Sequence, residues 1–177
     1  MWKMFKHWWS WHSFTPLVFV PQQLEHQGQL VDIRQATLQD AQLLDSIQKQ
    51  VYAVPPWQLA TFYSELANRR RLYLLAQTPT HVIGFIGCDF FERAHITYLA
   101  ILPHDQHQGW GHLLLQVMID YCQNFDYPEL TLEVDYNNQA AQKLYLQFGF
   151  QPIKLLKNYY PMIHHDAIFM SRPLTKE

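Results

Sequence analysis

A mixed α/β (α+β) domain on a mostly antiparallel sheet is the fold this sequence predicts, and three observations carry that expectation. Strand-like alternation and helical periodicity interleave along the chain in the order β-α-α-β-β-β-α-β-α-β-β. Three consecutive strand-like runs are joined by connections short enough for antiparallel hairpins. With 177 residues, 49% of them hydrophobic and 16% charged, the chain can bury a sizeable core and is too apolar for wholesale disorder.

The regular pattern starts at Leu30. Val31-Asp32-Ile33-Arg34 alternates as a strand, and Thr37-Leu38-Gln39-Asp40 resembles a capping box opening a helix striped by Leu43, Leu44, Ile47 and Val51. Pro55-Pro56 stops that helix, and Pro56 suits the start of a second one through Trp57, Phe62 and Leu66. Arg69-Arg70-Arg71 reads as a solvated helix end. Strands follow over Leu72 to Gln77, Val82 to Phe91 and His95 to Leu102, where Pro103 ends the third.

The stretch from Trp110 to Phe125 is the clearest helix. Trp110, Leu113, Leu114, Val117, Met118, Tyr121, Cys122 and Phe125 recur on one face without a miss. Glu129 to Asp135 alternates again, with Leu130, Leu132 and Val134 on one side and Thr131, Glu133 and Asp135 on the other. Asn138 can cap a further helix carrying Ala141, Leu144, Tyr145 and Phe148, and Gly149 stands where a helix-ending glycine belongs. Phe150 to Leu155 and Ala167 to Ser171 complete the sheet.

Residues 1–30 form an aromatic-rich N-terminal extension ahead of a domain over 31–177. Four of the six tryptophans fall at Trp2, Trp8, Trp9 and Trp11. Lys6, His7, Ser10 and His12 interrupt any apolar run, which argues against a secretory signal. Trp2, Phe5 and Trp9 recur at helical spacing beside Lys3 and Lys6, so residues 1–20 could lie on a membrane surface. The plainer reading packs these aromatics on the domain or on a second copy in a homodimer. Lys+Arg total 13 against 15 Asp+Glu, without the basic excess of a nucleic-acid binder. Two cysteines cannot build a disulfide scaffold, and no transmembrane stretch is present; a cytoplasmic setting is expected.

One junction carries the chemistry. Gln106-His107-Gln108-Gly109-Trp110-Gly111 lies between a strand end and the N-terminus of the best helix, where free amides and the helix dipole attract phosphate. It lacks the Lys followed by Ser/Thr of a Walker site, and by itself it reads equally as a tight turn. Glu133 is a carboxylate in mid-strand, either paired structurally or working. Tyr145 shares a helical stripe with Ala141 and Phe148, as a core tyrosine would. The histidines at 95, 104, 107, 112, 164 and 165 show no metal-site spacing, His164-His165 reads as a loop pair, and no metal is expected.

Taken together, the Q-x-x-G-x-G loop, the strand before it, and Leu132-Glu133-Val134 followed by Asn138, Ala141, Leu144-Tyr145 and Gly149-Phe150 resemble the GNAT N-acetyltransferase superfamily. The resemblance covers residues 31 to 172. Pro56-Trp57, Asn158-Tyr159-Tyr160-Pro161 and Asp166 to Met170 narrow it to the bacterial ribosomal-protein-alanine branch. It implies a GNAT-type sheet flanked by helices, acetyl-CoA as cosubstrate, and direct transfer in a ternary complex to the N-terminal alanine of a ribosomal protein. A lysine or small-amine acceptor and a non-catalytic acyl-CoA-binding module are the alternatives.

The resemblance also implies roles. Gln106, His107, Gln108, Gly109, Trp110, Gly111 and His112 would form the pyrophosphate loop. Leu99, Ala100 and Ile101 would splay from the next strand, pair with the pantetheine arm and supply an oxyanion donor, and Asn138 would touch the same arm. Glu133 would serve as general base through water and Tyr145 as general acid toward sulfur. Three positions depart from the pattern: Gln108 and His112 stand where arginine is frequent, and Asp135 replaces the arginine of Leu-Glu-Val-Arg.

Overall fold

The alternation at Val31 is half of an edge hairpin. In the computed structural model, which describes residues 17–174, β1 (Gln22–His26) pairs antiparallel with β2 (Gln29–Gln35). Gln27 and Gly28 join them with φ of 51° and 75°, the two positive values that a tight two-residue hairpin turn demands. The sequence Gln-Gln-Leu-Glu-His is too polar to show strand periodicity, so nothing in the 1–30 segment announces β1. Ahead of it, Phe19 is buried in the core and Tyr121 donates to the Val18 carbonyl at 3.3 Å. The aromatic stretch with Trp2, Phe5, Trp8, Trp9 and Trp11 lies outside the described residues.

The rest of the sheet is β3 (Arg71–Gln77), β4 (Val82–Phe90), β5 (Ala94–Ile101), β6 (Glu129–Asp135), β7 (Gln151–Tyr160) and β8 (His165–Pro173). Its order is β1-β2-β3-β4-β5-β6-β8-β7, with the β5–β6 junction parallel and the others antiparallel. The last two strands run further than their apolar pattern, and His165 opens β8 instead of sitting in a loop.

Helices cover both faces. On one side, α1 (Ala41–Val51) and α2 (Leu59–Ala67) pack Leu44, Ile47 and Phe62 on Tyr73, Phe85 and Tyr98. On the other, α3 (Trp110–Cys122) and α4 (Gln139–Gln147) pack Leu114, Met118 and Tyr145 on Leu74, Ile86 and Ile96. The capping box ahead of α1 forms, with the Thr37 N–H donating to Asp40 Oδ2 at 2.8 Å. Helix α2 begins three residues later than Pro56 suggests, because the Gln48 amide donates to the Trp57 carbonyl at 2.7 Å and holds that segment as a linker. Cys88 and Cys122 are both buried as free thiols. No helix among the described residues is long and apolar enough to cross a membrane.

What positions the site is an irregularity in β5. The register passes from Gly87↔Tyr98 to Cys88↔Ile96, leaving Thr97 as a bulge. Bulges bend a strand and re-aim the residues beyond them. Here β5 pairs with β6 from Ala94↔Leu130 to Ile96↔Leu132 and no further. Beyond that point the strands diverge. Gly87 is required opposite the bulge, since a Cβ there would sit 2.3 Å from Tyr73 Cε1.

Candidate active site

The divergence of β5 and β6 opens a cleft of about 340 Å³ whose lining includes Tyr52, Trp57, His95, Leu99, Glu133 and Tyr145. Backbone polarity along its β5 wall follows from the ladder. The Leu102 N–H donates to the Ile83 carbonyl at 2.9 Å, so residues of β5 that bond β4 alternate with residues that face away. That alternation turns the amides of Leu99 and Ile101 toward the gap and leaves Ala100 bonded to β4. Ile101 has its carbonyl taken by Gln106 Nε2 at 2.9 Å. An extended chain entering the gap therefore meets an unpaired strand edge at Leu99.

Glu133 projects from β6 into this cleft. Its Oε2 lies 2.9 Å from His95 Nε2, across the last rung of the parallel ladder. His95 Nδ1 is in turn 2.8 Å from Thr131 Oγ1, whose hydroxyl donates to the Ala94 carbonyl at 3.3 Å. Burial alone would raise the Glu133 carboxyl, but bonding and charge from His95, then Tyr159 and Arg93, outweigh it and hold the group below its usual range. Tyr159 answers in the opposite direction: burial and the Glu133 charge push its phenol up to about 12. His95 is the site residue that sequence reasoning missed, because its partner lies on a strand that only the fold brings alongside.

Tyr145 lines the same cleft from α4, buried edge-on to Phe150 with ring centroids 5.7 Å apart. Burial raises its phenol far above the ordinary value, with smaller contributions from Tyr52 and Tyr160. It stays protonated, available as a donor, at any physiological pH. Asn138 also borders the cleft, and its side chain caps α4 by accepting from the Ala141 N–H at 3.0 Å. Asp135 is not a free charge. His165 Nδ1 stands 2.7 Å from Asp135 Oδ2, and the Asn137 N–H donates to Oδ1 at 2.8 Å.

The glycine loop leaves a 3-10 turn at Pro103–Asp105 and enters α3 through Gly109, the N-cap, whose φ is 78°. The first amides of α3 have no partner within the helix and point out of its N-terminus. Several loop side chains are occupied elsewhere. Gln108 Nε2 donates to the His104 carbonyl at 2.8 Å, Trp110 is in the core, and the His112 ring packs 4.4 Å from Phe148. A Cβ on Gly111 would face Leu144 at 3.6 Å and Ile101 at 3.8 Å, which is the packed side of the helix.

An unforeseen brace holds this loop. His26 Nε2 and Gln27 Nε2 each lie 2.9 Å from the Gln108 carbonyl oxygen, and the His26 ring packs on Trp110 at 4.4 Å. Residues more than 80 positions upstream thus fix the approach to α3, a contact no local motif announces.

An open strand edge, a carboxylate–imidazole pair and a protonated phenol meet around one gap, whereas Ala100, Ile101 and the loop from Gln106 to His112 are not part of its lining. This arrangement suits acyl transfer from an extended phosphorylated carrier to an amine. The sequence profile of the Acetyltransferase (GNAT) family matches residues 35–150. A relative from Bacillus subtilis (strain 168) is 37% identical over 117 residues, 65% of this chain and 78% of its own. Another, from Escherichia coli (strain K12), is named [Ribosomal protein bS18]-alanine N-acetyltransferase and is 33% identical over 122 residues, 68% of this chain and 82% of its own. The crystal structure of the ribosomal-protein-S18-alanine N-acetyltransferase from Escherichia coli superposes with a TM-score of 0.77 at 29% identity, covering 83% of this chain and 96% of that one.

Proposed function

The chain belongs to the acetyltransferase (GNAT) family, and from that premise we propose that it acetylates the N-terminal α-amine of a protein, an alanine-terminated ribosomal protein, with acetyl-CoA as donor. The observation that carries this reading is the cleft in which the Leu99 strand edge, Glu133 with His95, and Tyr145 come together.

The residues fit the donor. Gly109 supplies the left-handed N-cap that starts α3, and the α3 amides suit a pyrophosphate. Leu99 offers backbone donors and acceptors to an amide-bearing arm. Bound there, acetyl-CoA supplies the activated thioester.

In the transfer, Glu133 takes a proton from the acceptor ammonium through water, and the contact with His95 Nε2 fixes the carboxylate in the cleft. The freed amine nitrogen bonds the acetyl carbon while an N–H of Leu99 or Ile101 donates to the developing oxyanion, and the nitrogen's second proton passes to water as the adduct collapses. As the carbon–sulfur bond breaks, Tyr145 gives its proton to the leaving sulfur and recovers one from solvent. Cys88 and Cys122 are buried in the core, so among the described residues no thiol reaches the cleft to carry the acetyl group. This supports direct transfer in a ternary complex.

The base supports this acceptor class. An α-amine titrates near 8 and a lysine near 10.4, and that gap amounts to about 3.3 kcal/mol of deprotonation. A carboxylate held below its usual range is a weak base, suited to the easier task. A peptide with an N-terminal alanine and an internal lysine, incubated with acetyl-CoA and read by fragment mass spectrometry, tests the reading. Acetylation at the α-amine is expected, and preference for the lysine would overturn it.

A further inference from the structure

Outside the cleft, three donors converge. His81 closes the turn between β3 and β4, while His104 and Asp105 belong to the 3-10 turn leading into the glycine loop. His81 Nε2 lies 3.1 and 3.2 Å from the two Asp105 oxygens, and His104 Nε2 lies 3.1 Å from Asp105 Oδ2. One donor atom from each residue falls within 4.8 Å of the others. Ligands about 2.0–2.1 Å from a tetrahedral zinc ion stand about 3.3 Å from one another. Two of the three edges here already have that length.

A second observation concerns the support behind the ring. The hydroxyls of Thr78 and Thr80 lie 3.1 and 3.3 Å from His81 Nδ1, bracing the ring on the side away from Asp105. Hydroxyl or carboxylate support behind the ring is also how metal-bound imidazoles are commonly oriented. Asp105 itself is only 6% exposed, and among the described residues its carboxylate is faced by these two imidazoles.

We propose that His81, His104 and Asp105 form a binding site for a divalent transition metal of the zinc, cobalt and nickel class, clipping the β3–β4 turn to the start of the glycine loop. Two imidazoles and one carboxylate select such ions over calcium or magnesium, which take oxygen ligands. The exposed side of both histidines leaves a further position to water. None of the three residues lines the cleft, so the role is structural and separate from transfer. Spacing along the sequence gave no hint, because His81 is 24 residues from Asp105.

Cobalt(II) titration of the full chain, followed by visible ligand-field absorption, reads the site directly, and zinc calorimetry gives its stoichiometry. One equivalent is expected to bind saturably, with affinity falling at least about tenfold in His104→Ala and in His81→Ala. Thr78→Val is expected to weaken binding without abolishing it, and zinc to raise the melting temperature of the parent but not of His104→Ala. His104 is exposed, so its variant folds whatever becomes of Asp105. Absence of saturable binding would mean that the two imidazoles and the carboxylate bond one another with no ion between them, and the proposal falls. It falls equally if binding persists unchanged in both histidine variants.

Discussion

Two glycines with nearly the same backbone conformation give the sharpest test of the loop. Gly109 has φ 78° and Gly149 has φ 81°. Alanine at either position costs about 1–2 kcal/mol, because a Cβ in the left-handed region crowds its own carbonyl. At Gly149 that is the whole effect, since nothing lies within 4 Å of the added carbon. At Gly109 the new Cβ would stand 3.0 Å from His26 Nε2 and 3.1 Å from His26 Cε1. His26 must give way and lose its bond to the Gln108 carbonyl, worth about 1 kcal/mol more. The two terms sum to about 2–3 kcal/mol in a segment whose amides are assigned to pyrophosphate. If the loop shifts to relieve them, affinity for coenzyme A drops by up to about 100-fold. Isothermal titration with coenzyme A, paired with thermal unfolding, separates the cases. Gly149→Ala is expected to melt earlier with unchanged affinity, and Gly109→Ala to lose affinity, partly restored by adding His26→Ala. Unchanged affinity in Gly109→Ala, or an equal loss in Gly149→Ala, would refute the role given to this loop.

Two further outcomes bear on the chemistry. Glu133→Gln is expected to lower kcat/KM for an alanine-terminated peptide by about 10²-fold at pH 7, the deficit shrinking as pH passes the amine's value near 8. The sign follows from the carboxyl, which is held below its ordinary range and so is ionised throughout, leaving the amine as the group that titrates. Matching rates for variant and parent from pH 6 to 9 would remove Glu133 from the mechanism. Tyr145→Phe is expected to lower kcat by about 10²-fold and evenly over that range, because the buried phenol does not ionise within it. A loss confined to high pH would contradict the proton-donor role, and circular dichroism checks that Phe keeps the packing on Phe150.

Elements that bury one continuous face were legible in the residues. Helix α3 announces itself because Trp110, Leu114, Met118 and Cys122 all meet the sheet, and β6 because Leu130, Leu132 and Val134 do. Periodicity fails where burial does. Strand β1 is largely exposed, so its membership rests on backbone pairing that side chains do not record. Proline at the start of α2 misled for another reason: the Gln48 amide overrides the local preference of Pro56. The candidate site divides in the same way. Glu133 and Tyr145 were visible through resemblance to a family pattern, whereas His95, His26 and His81 act on partners from distant segments, and no window along the chain contains both halves of those pairs.

The short parallel rung between β5 and β6 has a thermodynamic side. Strands β1 to β5 form one antiparallel half of the sheet and β6 to β8 the other, and among the described residues backbone pairing joins them only over Ala94–Ile96 and Leu130–Leu132. A ligand lying along Leu99 would extend that seam without changing the chain. Folding and occupancy then become linked by mass action: a ligand present at a hundred times its dissociation constant stabilises the folded state by about 2.7 kcal/mol. The halves of this protein would be held together, in part, by the metabolite it consumes, and its lifetime in a cell would follow the supply of that metabolite.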